Sequence, residues 1–274
     1  MHTQEGRTLT VRLLGPIAIT AGGEHHGSLP AQLRKVLALL AVGRETPLSA
    51  EQLVRRIWDH APPDSAVQMV RNQIRALRRL IGQSPLESDL PGYRLSARHV
   101  EVDTETFRAL LREGRRHLAD NRILDAVHTV QRGLDLWRGP EALAGVRDVS
   151  SLEIEAIDLE DLRFQAEEVI VEGYLALDRP GDALPLLRAM TAAHPTRELP
   201  WLQLMAAETL IGRRIEASVD TFRRAQHHLV ESTGLDAPLL ASVHTALLRG
   251  AEGHELVALI RRRPRDLPIR WQRR

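Results

Sequence analysis

The chain has 274 residues, 43% hydrophobic and 27% charged, a globular composition long enough for two domains and too apolar for disorder. It holds no cysteine, which excludes disulfides, iron–sulfur clusters and thiolate zinc sites, and its longest apolar run, 36–42, is far short of a membrane span. The net charge is +1, but residues 1–100 carry 13 basic against 8 acidic residues (+5), 101–254 carry 17 against 26 (−9) and 255–274 carry 7 against 2 (+5), which suggests separate tasks for a basic front, an acidic middle and a basic tail.

The opening MHTQEGRTLT lacks the apolar core of a signal peptide, so a soluble, cytoplasmic protein is expected. LTVRLLGPIAIT (9–20) is rich in β-branched and apolar residues broken by Gly15-Pro16, which predicts two short strands around a turn, and GGEHHGSL predicts a further turn and an edge strand. AQLRKVLALLAV (31–42) is apolar enough for a central helix. Ser49-Ala-Glu-Gln52 before LVRRIW reads as a capping box opening a second helix, and Ser65-Ala-Val-Gln68, after Pro62-Pro63, reads as another opening a third.

In the third helix, expected over 65–82, the apolar residues Val67, Val70, Ile74, Leu77 and Ile81 recur three and four apart and so form one stripe. The opposite stripe is Gln68, Arg71, Asn72, Arg75, Arg78 and Arg79; Arg56 lies upstream as an outlier. A solvated face normally mixes signs to gain i,i+4 pairs, whereas no acid occurs from Ser65 to Gln83. An anionic partner relieves such repulsion, and duplex DNA fits, because a helix enters the major groove, where arginine bonds guanine bidentately and Asn or Gln bonds adenine. LESDLPGYRLSARHVEV (86–102) then predicts a hairpin with a Pro-Gly turn, Tyr93-Arg94-Leu95 and a closing strand at 99–102. Tyr93 and Arg94 on this hairpin complete the expected DNA-binding residues, with Arg94 reaching a phosphate or the minor groove.

Downstream, Leu118–Ala126, Leu175–Ala183 and Thr209–Ala217 share an eight-residue spacing that ends in an acid-Ala pair, and the last two alanines lie 217 − 183 = 34 residues apart. That is the period of tetratricopeptide repeats, in which a small residue lets paired helices approach closely. Long helices are expected at 152–177 and 215–232. The acidic balance argues that this segment contacts protein rather than DNA. Trp137, Trp201 and Phe222 are expected in the core, and Glu153, Glu155, Asp158, Glu160 and Asp161 on a solvated helix face. The tail RRRPRDLPIRWQRR, with two prolines, is expected to be irregular, as a DNA-touching arm or a soluble end.

No phosphate-cradling loop, nucleophile elbow or His-Glu-x-x-His occurs, so no catalytic residue is assigned and no enzyme is expected. The pairs His25-His26 and His227-His228 make no chelate by adjacency, since neighbours on a helix point about 100° apart; no metal and no cofactor are expected.

LLGPIAIT, RKVLALLAV, LSAEQLVRRIW, APPDSAVQMVRNQIRALRRLIG and LPGYRL resemble the OmpR-like winged-helix domain of the Streptomyces antibiotic regulatory proteins, a family of actinobacterial transcriptional activators. VDTETFRALLREGRRHL, LDLWRGP, TRELPWLQLMAAETLIGRRIEA and ESTGLDAPLLASVHTALL are similar to that family's second module, the bacterial transcriptional activator domain. The expected fold is therefore mainly α with a small α+β part, an N-terminal winged helix-turn-helix followed by a tetratricopeptide-like all-helical domain. The expected division is 1–102, 103–252 and a basic tail at 253–274. The resemblance implies a nucleoid-associated homodimer that binds promoter direct repeats beside the −35 element, contacts RNA polymerase and controls a secondary-metabolite gene cluster. A repressor using the same DNA domain and a helical-repeat scaffold remain open as alternatives. Without a receiver or ATPase segment, regulation is expected to act on these two domains or on expression.

Overall fold

A computed structural model describes residues 9–261 apart from 22–23, 27–28, 45, 60 and 90–91. Two compact units form: one comprises the described residues up to Arg116 together with His128–Ala166, the other His117–Val127 together with the described residues from Glu167 on.

The first unit opens with β1 (Leu9–Arg12), β2 (Ala18–Ala21) and β3 (Glu24–His26), joined in antiparallel order. The turn expected between β2 and β3 lies outside the described residues. Next come α1 (Ala31–Val42), α2 (Ala50–Trp58) and α3 (Ala66–Ile81). α1 is the central helix that its sequence predicts: Val36 to Ala41 are all buried, and both other helices pack on it. α2 opens with the expected capping box, Gln52 N–H donating to Ser49 Oγ at 3.2 Å and Ser49 N–H to Gln52 Oε1 at 2.7 Å.

The hairpin after α3 consists of β4 (Leu86–Asp89) and β5 (Gly92–Leu95); its turn at 90–91 is not among the described residues. The closing strand expected at 99–102 does not belong to it. Val100–Val102 forms β6, which pairs parallel to β1 in a sheet of order β3-β2-β1-β6. The alternation of Val100, Glu101 and Val102 explains the placement, because both valines are buried in that sheet and Glu101 faces out.

This unit continues past the expected boundary at 102. α4 (Asp103–Ala119) begins with a buried carboxylate that accepts from the backbone N–H groups of Leu13 at 2.8 Å and Leu14 at 3.2 Å, with Arg138 3.9 Å away. After α5 (Ile123–Leu134), the loop 136–149 runs along the β1–β2 turn: Arg138 N–H donates to Leu14 O at 2.9 Å, Leu143 N–H to Leu13 O at 2.8 Å and Ala144 N–H to Gly15 O at 3.1 Å. Ala142, Leu143, Val146 and Val149 are buried there. The acidic run on α6 (Ser150–Ala176) is only partly solvated, since Arg147 clamps Glu153 and Glu160, and Arg108 pairs with Glu155; Asp158 and Asp161 are exposed. Trp137 is half-buried, edge-on to Phe107, with Arg163 over its ring.

The second unit is helical: α7 (Pro180–Ala193), α8 (Glu198–Leu210), α9 (Phe222–Gln226), α10 (Pro238–Leu248) and α11 (Gly253–Arg261) follow the C-terminal part of α6. The helix expected over 215–232 is present, but α9 is flanked by π-helical turns at Glu216–Thr221 and His227–Glu231. Trp201 is fully buried with its Nε1–H on Pro195 O, and Phe222, half-buried, stacks on His244 at 3.5 Å. Residues 253–261, expected to begin the tail, form α11 instead: Gly253, Leu256 and Ile260 are buried, and a Cβ at position 253 would lie 2.4 Å from Leu210. The rest of the expected tail, 262–274, lies outside the described residues.

The eight-residue spacing corresponds to one recurring turn. Asn121, Asp178 and Gly212 hold its fourth position with φ of 60°, 55° and 82°. In each turn the next N–H reaches back five residues, Arg122 to His117 O, Arg179 to Tyr174 O and Arg213 to Glu208 O, as in a Schellman cap. Ala126, Ala183 and Ala217 are fully buried. Gly250 and Ala251 repeat the turn between α10 and α11, where the sequence pattern shows no acid-Ala pair at the matching offset.

Candidate nucleic-acid interface

α3 is built to bury one line and expose another. Ala66, Val70, Ile74 and Leu77 are the buried line, packed on α1 and α2; Val67 and Ile81, assigned by the sequence to the same stripe, are its half-buried flanks. Gln68, Arg71, Asn72, Arg75 and Arg79 are exposed. The capping box expected at Ser65 is absent: its hydroxyl caps nothing, and the helix starts instead from a turn in which Ala66 N–H donates to Pro63 O at 2.9 Å. Ser65 sits at φ −86°, ψ 3°, outside the extended conformation that aims an N-cap oxygen at the first turn. Gly82, at φ 86°, closes the other end with its N–H on Arg78 O.

The polar line is organised along its length. Asn72 Oδ1 accepts from Gln68 Nε2 at 3.0 Å and from Arg75 Nη1 at 3.0 Å. Arg78, half-buried, turns instead toward the hairpin, where it donates to Ser88 Oγ and lies 6.0 Å from the Tyr93 ring centre. Sequence reasoning did not single out Ser88; its signal is the cross-strand register, which sets Ser88 opposite Tyr93. Among the described residues, no carboxylate forms an ion pair with Arg71, Arg75, Arg78 or Arg79. An acid does stand near the row, from α2 rather than α3. Glu51 is held below the usual carboxylate range first by its own backbone hydrogen bond and Ser49, then more weakly by Arg71 and Arg55.

The hairpin is fastened beside α3 through Leu48, whose N–H and C=O both bond Tyr93, at 3.0 and 2.9 Å. Gly92 makes that approach possible, since a Cβ there would lie 2.4 Å from Leu48 C. Arg94 is paired with Glu87 across the hairpin at 2.7 Å, both side chains half-exposed. Ser96, and then Arg94, hold the Glu87 carboxyl below its ordinary value. The structure thus brings Gln68, Asn72 and Arg75 together, gathers Arg78 with Tyr93, leaves Arg71 and Arg79 outward, and ties Arg94 into the hairpin.

Among the described residues no group of three or more His, Asp or Glu is placed to hold a metal, and no helix is long and apolar enough to cross a membrane.

Residues 102–248 match the family described as bacterial transcriptional activator domain, and residues 24–95 match transcriptional regulatory protein, C terminal. The chain is 30% identical over 250 residues to the transcriptional regulatory protein EmbR of Mycobacterium tuberculosis, a match covering 89% of this chain and 64% of that protein. The match to the regulatory protein DnrI of Streptomyces peucetius is 29% over 257 residues and covers 89% and 94%. A solved structure of Mycobacterium tuberculosis EmbR, in complex with a low-affinity phosphopeptide, superposes with a TM-score of 0.82 at 28% identity, covering 93% of this chain and 70% of that one. The chain therefore spans just under two thirds of the length of the first of these relatives.

Proposed function

Because the chain belongs to the Streptomyces antibiotic regulatory protein family of transcriptional regulators, we propose that it binds promoter DNA sequence-specifically, through α3 in the major groove, and activates transcription. The observation that carries this reading is the outward line Gln68, Arg71, Asn72, Arg75 and Arg79, in which no arginine is ion-paired to a carboxylate among the described residues. Four guanidinium groups on one short helix repel one another, and a phosphate backbone removes that penalty. In this reading Arg75 contacts a base, Arg71 and Arg79 contact flanking phosphates, Arg78 and Tyr93 hold the hairpin against α3, and Arg94 meets DNA only by leaving Glu87.

The acidic, helical remainder supplies contacts to protein. It pairs protomers on direct repeats and holds RNA polymerase on a weak promoter, and the genes controlled are a secondary-metabolite cluster; the whole acts in the cytoplasm at the nucleoid. A mobility shift with promoter DNA and excess nonspecific competitor tests the first step: a retained complex supports it, and no complex favours the protein scaffold. Run-off transcription with purified polymerase tests the second, since more transcript supports activation and less supports repression. Two half-sites are expected to bind cooperatively, a single half-site weakly.

A further inference from the structure

The hydrogen-bonded trio on α3 restricts what each member can offer a base pair. Arginine only donates, so the Asn72 atom that faces Arg75 Nη1 is its oxygen, and the same oxygen also receives Gln68 Nε2, both at 3.0 Å. A carbonyl oxygen has two lone pairs, and both are used. Bidentate recognition of adenine requires an asparagine oxygen free to accept from the N6 amino group while the amide nitrogen donates to N7. Asn72 no longer has that oxygen to give, which revises the adenine contact its residue type suggests. Gln68, having committed its amide nitrogen, keeps Oε1 as an acceptor. Arg75, having committed Nη1 to Asn72, keeps Nη2 and Nε, two neighbouring donors matched to guanine O6 and N7.

Resting on the docking reading above, we infer that Asn72 is the positioning residue of the interface: it fixes Arg75 to read a guanine and Gln68 to meet an exocyclic amino group, and does not itself grip adenine. The spacing supports a shared role, since Gln68 and Asn72 lie four residues apart and Asn72 and Arg75 three apart, successive turns of one exposed face.

The test uses the full chain. Selection from a random duplex pool defines its site, and affinity is then measured for every single-base variant of that site with the unaltered chain, Asn72→Ala, Arg75→Ala, the double variant and Asn72→Asp. The expected result is that Asn72→Ala and Arg75→Ala each lose about tenfold in discrimination at the same G·C pair. The double variant is expected to be no worse there than Arg75→Ala alone, and Asn72→Asp, which keeps the acceptor oxygens and lacks the amide donors, to retain the guanine preference. The inference is overturned if Asn72→Ala relaxes an A·T pair that Arg75→Ala leaves alone, or if the two losses add. Failure of the selection to yield any duplex that the unaltered chain binds is a separate result, which overturns the docking reading and this inference with it.

Discussion

At the scale of single residues, the arginines of α3 differ more in environment than in sequence. Arg75 is exposed and oriented by Asn72, whereas Arg79 is exposed without an ion-paired carboxylate among the described residues. Arg75→Ala is therefore expected to cost about 1–3 kcal/mol in DNA affinity and flatten preference at one position, while Arg79→Ala weakens all sequences alike. Equilibrium binding to a set of single-base variants separates the two patterns. A different residue-scale effect belongs to Asp103. Burial raises its carboxyl above the ordinary value, against the opposing hydrogen bonds from Leu13 and Leu14 and the charge of Arg138. A folded-state carboxyl that holds its proton more tightly than the unfolded chain makes stability fall as pH rises from the ordinary carboxylate value through the raised one. Denaturant unfolding at about pH 4 and at neutrality should thus show the wild type losing ground to Asp103→Asn as pH increases; gaining ground contradicts the assignment. Asp103→Ala, which strands two buried N–H groups, is expected to cost about 1–3 kcal/mol for each N–H left without a partner.

At the scale of elements, the two serines expected to cap helices give a paired prediction. Ser49→Ala removes a working capping box and is expected to cost about 1 kcal/mol, whereas Ser65→Ala is expected to be near neutral; thermal unfolding of both variants tests the contrast. Both serines carry Gln three residues on, so the motif alone could not separate them. The difference lies in the backbone: Ser49 is extended, while Ser65 is already turned by the loop that follows Pro62-Pro63. The three helices of the winged-helix part were legible because their apolar periodicity is local, and the exposed line of α3 was legible for the same reason, whereas α11 was hidden in what read as the start of the tail. What was hidden is long-range. Nothing near Val100 specifies that it pairs with Leu9, nor that the loop near Leu143 hydrogen-bonds Leu13, so β6 and the reach of the first unit past 102 required the folded chain. The trio around Asn72 lies between these cases, since its i,i+3 and i,i+4 spacing was visible and its bond directions were not. The hairpin depends on another long-range contact: Gly92→Ala would drive a Cβ into Leu48 backbone and is expected to cost about 1–3 kcal/mol and to loosen the hairpin, read as faster amide exchange at Tyr93.

At the scale of the whole molecule, the net charge of +1 conceals a division into +5 over residues 1–100, −9 over 101–254 and +5 over 255–274. The negative share cannot add to DNA affinity, so the salt dependence of binding comes from the basic front and the basic tail, and the share that α3 supplies is the part that substitution of its arginines removes. The most direct measurement is the affinity of the purified full chain for its selected duplex over a series of salt concentrations, compared with an Arg71→Ala, Arg75→Ala, Arg79→Ala triple variant. A steep fall of log affinity with log salt is expected, roughly 0.9 for each phosphate neutralised, with a slope in the variant shallower by about two such contacts, those of Arg71 and Arg79. A flat salt dependence, or an equal slope in both proteins, contradicts docking through α3.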